Sequence, residues 1–172
     1  FSISTGSGCS PLEVEITNNS SGGTYEWFWD DDDLTTPDST GVPSVFTKTY
    51  TNVSGNIDTM QLTLIARNGQ GCTDTMQRRV VIYPEVTADY TPVDAIGCNP
   101  YEVTFDNLSA YTNTADNSGL SWQWSFGDGL TSNSFEPTHT FLNAGDTTAQ
   151  FLTTLQAISS YNCRDTITDT VE

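Results

Sequence analysis

The chain has 172 residues and a formal net charge of −17, with five Lys plus Arg against 22 Asp plus Glu. So acidic a surface repels phosphate backbones and anionic bilayers, which argues against nucleic acid and lipid surfaces as partners. No apolar run approaches the roughly 20 residues that span a bilayer, so membrane insertion is not expected.

In chain order, the first half opens with Gly8-Cys9-Ser10-Pro11, followed by alternating Leu12, Val14 and Ile16. Apolar residues at every second position mark a half-buried strand. The aromatic segment Tyr25-Glu26-Trp27-Phe28-Trp29 runs into four consecutive carboxylates, Asp30, Asp31, Asp32 and Asp33. Lys48-Thr49-Tyr50, the alternating Leu62, Leu64 and Ala66, and Gly71-Cys72-Thr73-Asp74-Thr75-Met76 complete the half. Tyr83-Pro84-Glu85 then reads as a joint, because a proline cannot donate to a central ladder.

After the joint the same blocks return in the same order. Gly97-Cys98-Asn99-Pro100 precedes Tyr101, Val103 and Phe105, with Cys98 lying 89 positions after Cys9. Trp122-Gln123-Trp124-Ser125-Phe126-Gly127-Asp128-Gly129 aligns with the segment from Tyr25 to Asp32, and His139-Thr140-Phe141 with Lys48-Thr49-Tyr50. Phe151, Thr153, Leu155 and Ala157 alternate, and Asn162-Cys163-Arg164-Asp165-Thr166-Ile167 closes the series with Cys163 91 positions after Cys72. Two homologous modules follow, residues 1–84 and 85–172. Short alternating segments, turns rich in Gly, Asn, Asp and Ser, and the lack of any amphipathic helix of three turns predict an all-β chain of two tandem β-sandwiches.

Trp124-Ser125-Phe126-Gly127-Asp128-Gly129, with His139-Thr140-Phe141 further on, resembles the signature of the polycystic-kidney-disease (PKD) type domain. That resemblance implies an immunoglobulin-like antiparallel sandwich for each module. The second module matches the motif well. The first keeps Trp27 and Trp29 but replaces the Gly-Asp-Gly turn with aspartates, Asp31 standing where Asp128 does. The Gly-Cys-x-Pro and Cys-x-Asp-Thr blocks resemble PKD repeats of large secreted Bacteroidetes proteins. The signature has a physical reading: Trp124 and Phe126 fill the core from one strand face, Gly127 and Gly129 permit backbone angles closed to other residues, and Asp128 accepts from nearby amides.

No catalytic constellation emerges. His139 is the only histidine and aligns with Lys48, so it reads as a strand residue rather than a general base. No Gly-x-Ser-x-Gly elbow, phosphate loop or Cys-x-x-Cys pair occurs. Asp30, Asp31, Asp32 and Asp33 are the candidate calcium ligands, because calcium takes six to eight oxygens, against a simply solvated acidic turn. Thr59, Thr75, Thr166 and Thr170 sit in Asp-Thr-aliphatic sequences that resemble Bacteroidetes O-glycosylation sites. Of the rings that would stack on sugars, Trp122, Tyr25 and Tyr111 stand out, with core packing the competing role for Trp122 and Tyr25.

Four cysteines in an extracellular chain are expected to be oxidised. In an immunoglobulin-like sandwich the first and second cysteine of a module lie at opposite ends, roughly 20 Å apart, whereas a disulfide needs Cα atoms within about 7 Å. Head-to-tail stacking favours Cys9–Cys163 between modules, with Cys72 and Cys98 pairing to neighbouring modules of an array. Cys9–Cys72 and Cys98–Cys163 within modules stay open as the alternative. Phe1 aligns with Tyr90 and Glu172 with Val81, so the chain is expected to be a segment cut from such an array. The functional expectation is a non-catalytic spacer or adhesive repeat of a surface protein or filament, exported by a type IX-like route. Its partners would be neighbouring repeats, surface glycans or other cells. The competing expectation is an accessory polysaccharide- or protein-binding module of a secreted hydrolase.

Overall fold

A computed structural model describes residues 1–21, 23–29, 34, 36–41, 44–93 and 95–172. The chain divides into two compact units, Phe1–Pro84 and Glu85–Glu172. Both are all-β and immunoglobulin-like, and no helix among the described residues is long and apolar enough to cross a membrane.

The first unit contains β1 (Ser2–Ile3), β2 (Ser7–Cys9), β3 (Leu12–Thr17), β4 (Thr24–Trp29), β5 (Ser39–Thr40), β6 (Val45–Tyr50), β7 (Asp58–Arg67) and β8 (Thr73–Tyr83). One sheet has the order β1-β3-β6 and the other β2-β8-β7-β4-β5. Alternation drives the packing: Val14 and Ile16 face Trp27, Leu62, Leu64, Val80 and Ile82 across the sandwich, and all seven are buried. Removing each such side chain from water contributes about 1.5–3 kcal/mol.

The second unit contains β9 (Val86–Thr87), β10 (Tyr90–Val93), β11 (Tyr101–Asn107), β12 (Ala110–Tyr111), β13 (Ser121–Ser125), β14 (Thr131–Ser132), β15 (Thr138–Phe141), β16 (Phe151–Ile158) and β17 (Arg164–Val171). Its sheets run β10-β11-β15 and β14-β13-β16-β17, with β12 and β9 as a separate pair. Val103, Phe105, Trp124, Phe141, Leu155 and Val171 occupy the positions of Val14, Ile16, Trp27, Tyr50, Leu64 and Val80. The two cores are one design executed twice.

The Gly-Cys-x-Pro block has a local cause. The Ser10–Pro11 and Asn99–Pro100 peptides are both cis, and the chain turns back so that the ring of Tyr101 lies on Gly97, where an added Cβ would come within 2.1 Å of it. At the start of this block the chain meets the last strand of its own unit. Ser7–Cys9 pairs parallel with Val81–Tyr83, and in the second unit Gly97 N–H donates to the Glu172 carbonyl at 3.1 Å.

Candidate functional site

The signature residues form a fastening between the two sheets of the second unit. β13 ends at Ser125, and Phe126 N–H then donates to the Leu130 carbonyl at 3.1 Å, closing the turn. Gly127 has φ +81, and a Cβ there would lie 2.7 Å from the backbone of Leu152, so both conformation and close approach demand glycine. Asp128 holds the turn through Oδ1, which accepts from Leu130 N–H at 2.9 Å. Its Oδ2 pairs with His139 Nε2 at 2.7 Å. His139 belongs to β15 in the opposite sheet, stacks on Phe126 at 4.1 Å and 3°, and meets the edge of Phe141 at 4.6 Å.

This pair is largely enclosed, with side-chain exposures of 10% for His139 and 19% for Asp128. Burial works to raise the Asp128 pKa, but the hydrogen bonds from Leu130 and His139 and the charge on His139 outweigh it, and the carboxyl sits below its ordinary value. The imidazole is thus committed through Nε2 to a structural carboxylate. Pairing with Asp128 and stacking on Phe126 make it a clamp between the two sheets.

The first unit builds the same clamp from different atoms. Lys48 Nζ lies 5.0 Å from the centre of the Trp29 ring and 5.9 Å from that of Tyr50. Trp29 and Tyr50 replace Phe126 and Phe141, and a cation over aromatic faces replaces the stacked imidazole. Alignment alone showed that imidazole was dispensable; it did not show what the position requires. Asp31, together with Asp30, Asp32 and Asp33, lies outside the described residues, so the candidate calcium ligands have no structural description.

Cys9 and Cys163 are disulfide-bonded, whereas Cys72 and Cys98 are free and exposed. Within each unit, one cysteine is therefore bonded and the other free. Cys9 closes β2 beside Tyr83, while Cys72 sits in the β7–β8 hairpin. Cys163 is 2% exposed, and its N–H donates to Ser159 Oγ at 3.2 Å.

The Asp-Thr blocks have a role that sequence reasoning missed. Asp58, Asp74 and Asp169 each turn Oδ1 back onto the N–H of the next residue, Thr59, Thr75 and Thr170, at 2.7, 3.0 and 2.7 Å. Asp165 instead accepts from Ala88 N–H at 2.8 Å. Each bond satisfies an amide outside a sheet ladder, which is how carboxylates blunt strand edges. The repetition of Asp-Thr at strand positions was the available signal. Thr75 and Thr166 are exposed, Thr59 and Thr170 half-buried.

The three candidate sugar-stacking rings fare differently. Tyr111 is 5% exposed, which removes it from the sugar-stacking candidates. Its position on β12, facing into the unit, is the reason. Trp122 is half-buried and packs on Phe135 at 5.3 Å, and Tyr25 is half-buried with its hydroxyl donating to the Ser20 carbonyl at 3.1 Å.

Two facing sheets tied by a Gly-Asp-Gly turn define an immunoglobulin-like sandwich module. The chain belongs to the PKD-domain family, whose profile, described as "PKD domain", matches residues 87–172. Among solved structures it is similar to the PKD1 domain of Vibrio anguillarum Epp, at 24% identity and TM-score 0.39, over 51% of this chain and 90% of that one. It is also similar to the amphioxus IgVJ-C2 molecule, at 11% identity and TM-score 0.42 over 96% and 98% of the two chains. A third similarity, to the fibronectin(III)-like modules of Clostridium thermocellum CbhA, has 10% identity and TM-score 0.41 over 99% and 90%. No curated protein matches the chain.

Proposed function

We propose that the chain is a non-catalytic structural and adhesive repeat segment of a large extracellular bacterial surface protein or filament, serving as a stiff spacer and interaction module. The observation that carries this reading is the oxidation pattern: Cys9 and Cys163 are bonded while their repeat equivalents Cys98 and Cys72 are free and exposed. In this reading Cys9 and Cys163 bond each other, one in each module, and Cys72 and Cys98 meet cysteines of the preceding and following repeats. Tension along such an array passes through disulfides instead of through the sandwiches. Partners are neighbouring repeats, and surface glycans or other cells where the array ends in contact. Type IX-like export, glycans on Thr59, Thr75, Thr166 and Thr170, and calcium at Asp30 to Asp33 belong to the same proposal. A sugar-binding accessory role would rest on exposed rings, and the burial of Tyr111 and the packing of Trp122 count against it.

Pulling the chain by its two ends tests the mechanical claim. Oxidised protein should extend without module unfolding, because the bond spans both cores. Reduced protein should show two unfolding events and about 500 Å of added length, at about 3.3–3.6 Å per residue. Two unfolding events in the oxidised protein would overturn the reading.

A further inference from the structure

The last strand of the first unit carries an open edge with a self-complementary pattern. From Thr73 to Arg79 every residue of β8 is exposed. β2 covers only Val81–Tyr83. Val81 N–H donates outward to the Gly6 carbonyl at 2.9 Å, away from β7, so the odd-numbered residues of β8 turn their backbone groups to this edge. Two caps occupy part of it. Asp74 accepts from Thr75 N–H at 3.0 Å, and Arg78 Nη1 donates to the Gln77 carbonyl at 3.1 Å. Among the described residues, the outward groups of Thr73 have no such side-chain cap, and those of Arg79 have Gly6 beside them, where an added Cβ would lie 3.7 Å from the Arg79 carbonyl oxygen.

We propose that β8 is a lateral docking edge for the β8 of a second copy, paired antiparallel about a two-fold axis through Met76. This joins chains side by side and goes beyond the serial linkage proposed above. In that register Thr75 faces Gln77 of the second copy and Thr73 faces its Arg79, both as hydrogen-bonded pairs, so the outward groups ladder across the axis. Asp74 falls opposite Arg78 of the second copy on the same sheet face, and the same contact recurs on the other side of the axis, as an isologous interface requires. The two groups that cap the edge in the single chain thereby become each other's partners. Met76, 40% exposed and with its Sδ 3.4 Å from the Phe1 ammonium, meets its own counterpart on the axis beside Phe1, over whose ring Arg78 lies at 5.6 Å. The equivalent strand of the second unit is engaged within its own unit: Asp165, aligned with Asp74, accepts from Ala88 N–H at 2.8 Å, and Glu172 N–H donates to the Ala95 carbonyl at 2.8 Å.

Sedimentation velocity of the full chain with its disulfide intact and the free Cys72 and Cys98 replaced by Ser, from about 1 to several hundred µM, tests this. The expected result is a concentration-dependent dimer. Asp74→Arg places arginines opposite each other and should weaken dimerisation at least about tenfold, two pairs being affected. Adding Arg78→Asp to that variant restores opposite charges in reverse and should restore the dimer. Circular dichroism establishes that each variant is folded; should Asp74→Arg fail to fold, the double variant and Met76→Lys, which sets two cations on the axis, carry the comparison. A monomer at every concentration overturns the proposal. So does a dimer indifferent to Asp74→Arg, which would place the interface elsewhere, or one that the double reversal fails to rescue.

Discussion

Asp128 is the residue on which the second module's signature turns. It joins an amide of its own turn to an imidazole of the opposite sheet. Replacing it with Asn keeps the shape and removes the charge; at an exposed turn, where solvent screens the pair, the loss is about 0.5–1 kcal/mol, to be read from the chemical denaturation midpoint of the module. The pH dependence has a definite sign. A carboxyl whose pKa is lower folded than unfolded stabilises fully above the unfolded value, about 3.9, and that contribution fades as pH falls through the folded value. The stability gap between wild type and Asp128→Asn should therefore shrink below about pH 4. A gap that is constant down to pH 2.5 would mean that the carboxylate is not the stabilising species. His139→Ala should destabilise the module in the same way, by loss of both the ion pair and the ring stack on Phe126.

At the scale of the element, the glycines of the turn and the capped edges matter most. Gly127→Ala must fit a Cβ 2.7 Å from the Leu152 backbone at a φ that L-residues avoid. A loss of about 2–4 kcal/mol is expected on thermal or denaturant unfolding, well above that of Gly129→Ala, where nothing stands within 4 Å and only the conformational penalty applies. Equal costs would show that close approach plays no part. How legible these elements were in the sequence differed by cause. Alternation placed Val14, Ile16, Val103, Phe105 and Leu155 in the core because a strand's period is two and each sheet buries one face. The Asp128 turn was visible because a Gly-Asp-Gly run has few other uses. The link to His139 was not, since a pair eleven residues apart across two sheets depends on their packing. The same holds for the aspartate caps: that Asp74 turns onto the N–H of Thr75 depends on the edge of β8 lying open there. Tyr111 was misjudged because a ring in a loop-rich segment gives no period to read, and β12 turns it inward.

For the whole molecule, two copies of one sandwich give a chain whose repeat-equivalent cysteines are in unequal states. Sequence arithmetic supplied the four cysteines and the repeat; it did not decide among the connectivities, because pairing depends on which strand ends lie together. Calcium at Asp30 to Asp33 is tested at this scale too: millimolar calcium should raise the melting temperature by linkage, and an unchanged melting curve would remove the ion from the proposal. The central claim is that the disulfide links modules and not the two ends of one module. Alkylation of the native chain, digestion without reduction and mass analysis of the peptides tests it most directly. The expected result is a cross-linked pair containing Cys9 and Cys163, with Cys72 and Cys98 alkylated; a peptide joining Cys9 to Cys72, or Cys98 to Cys163, would contradict it.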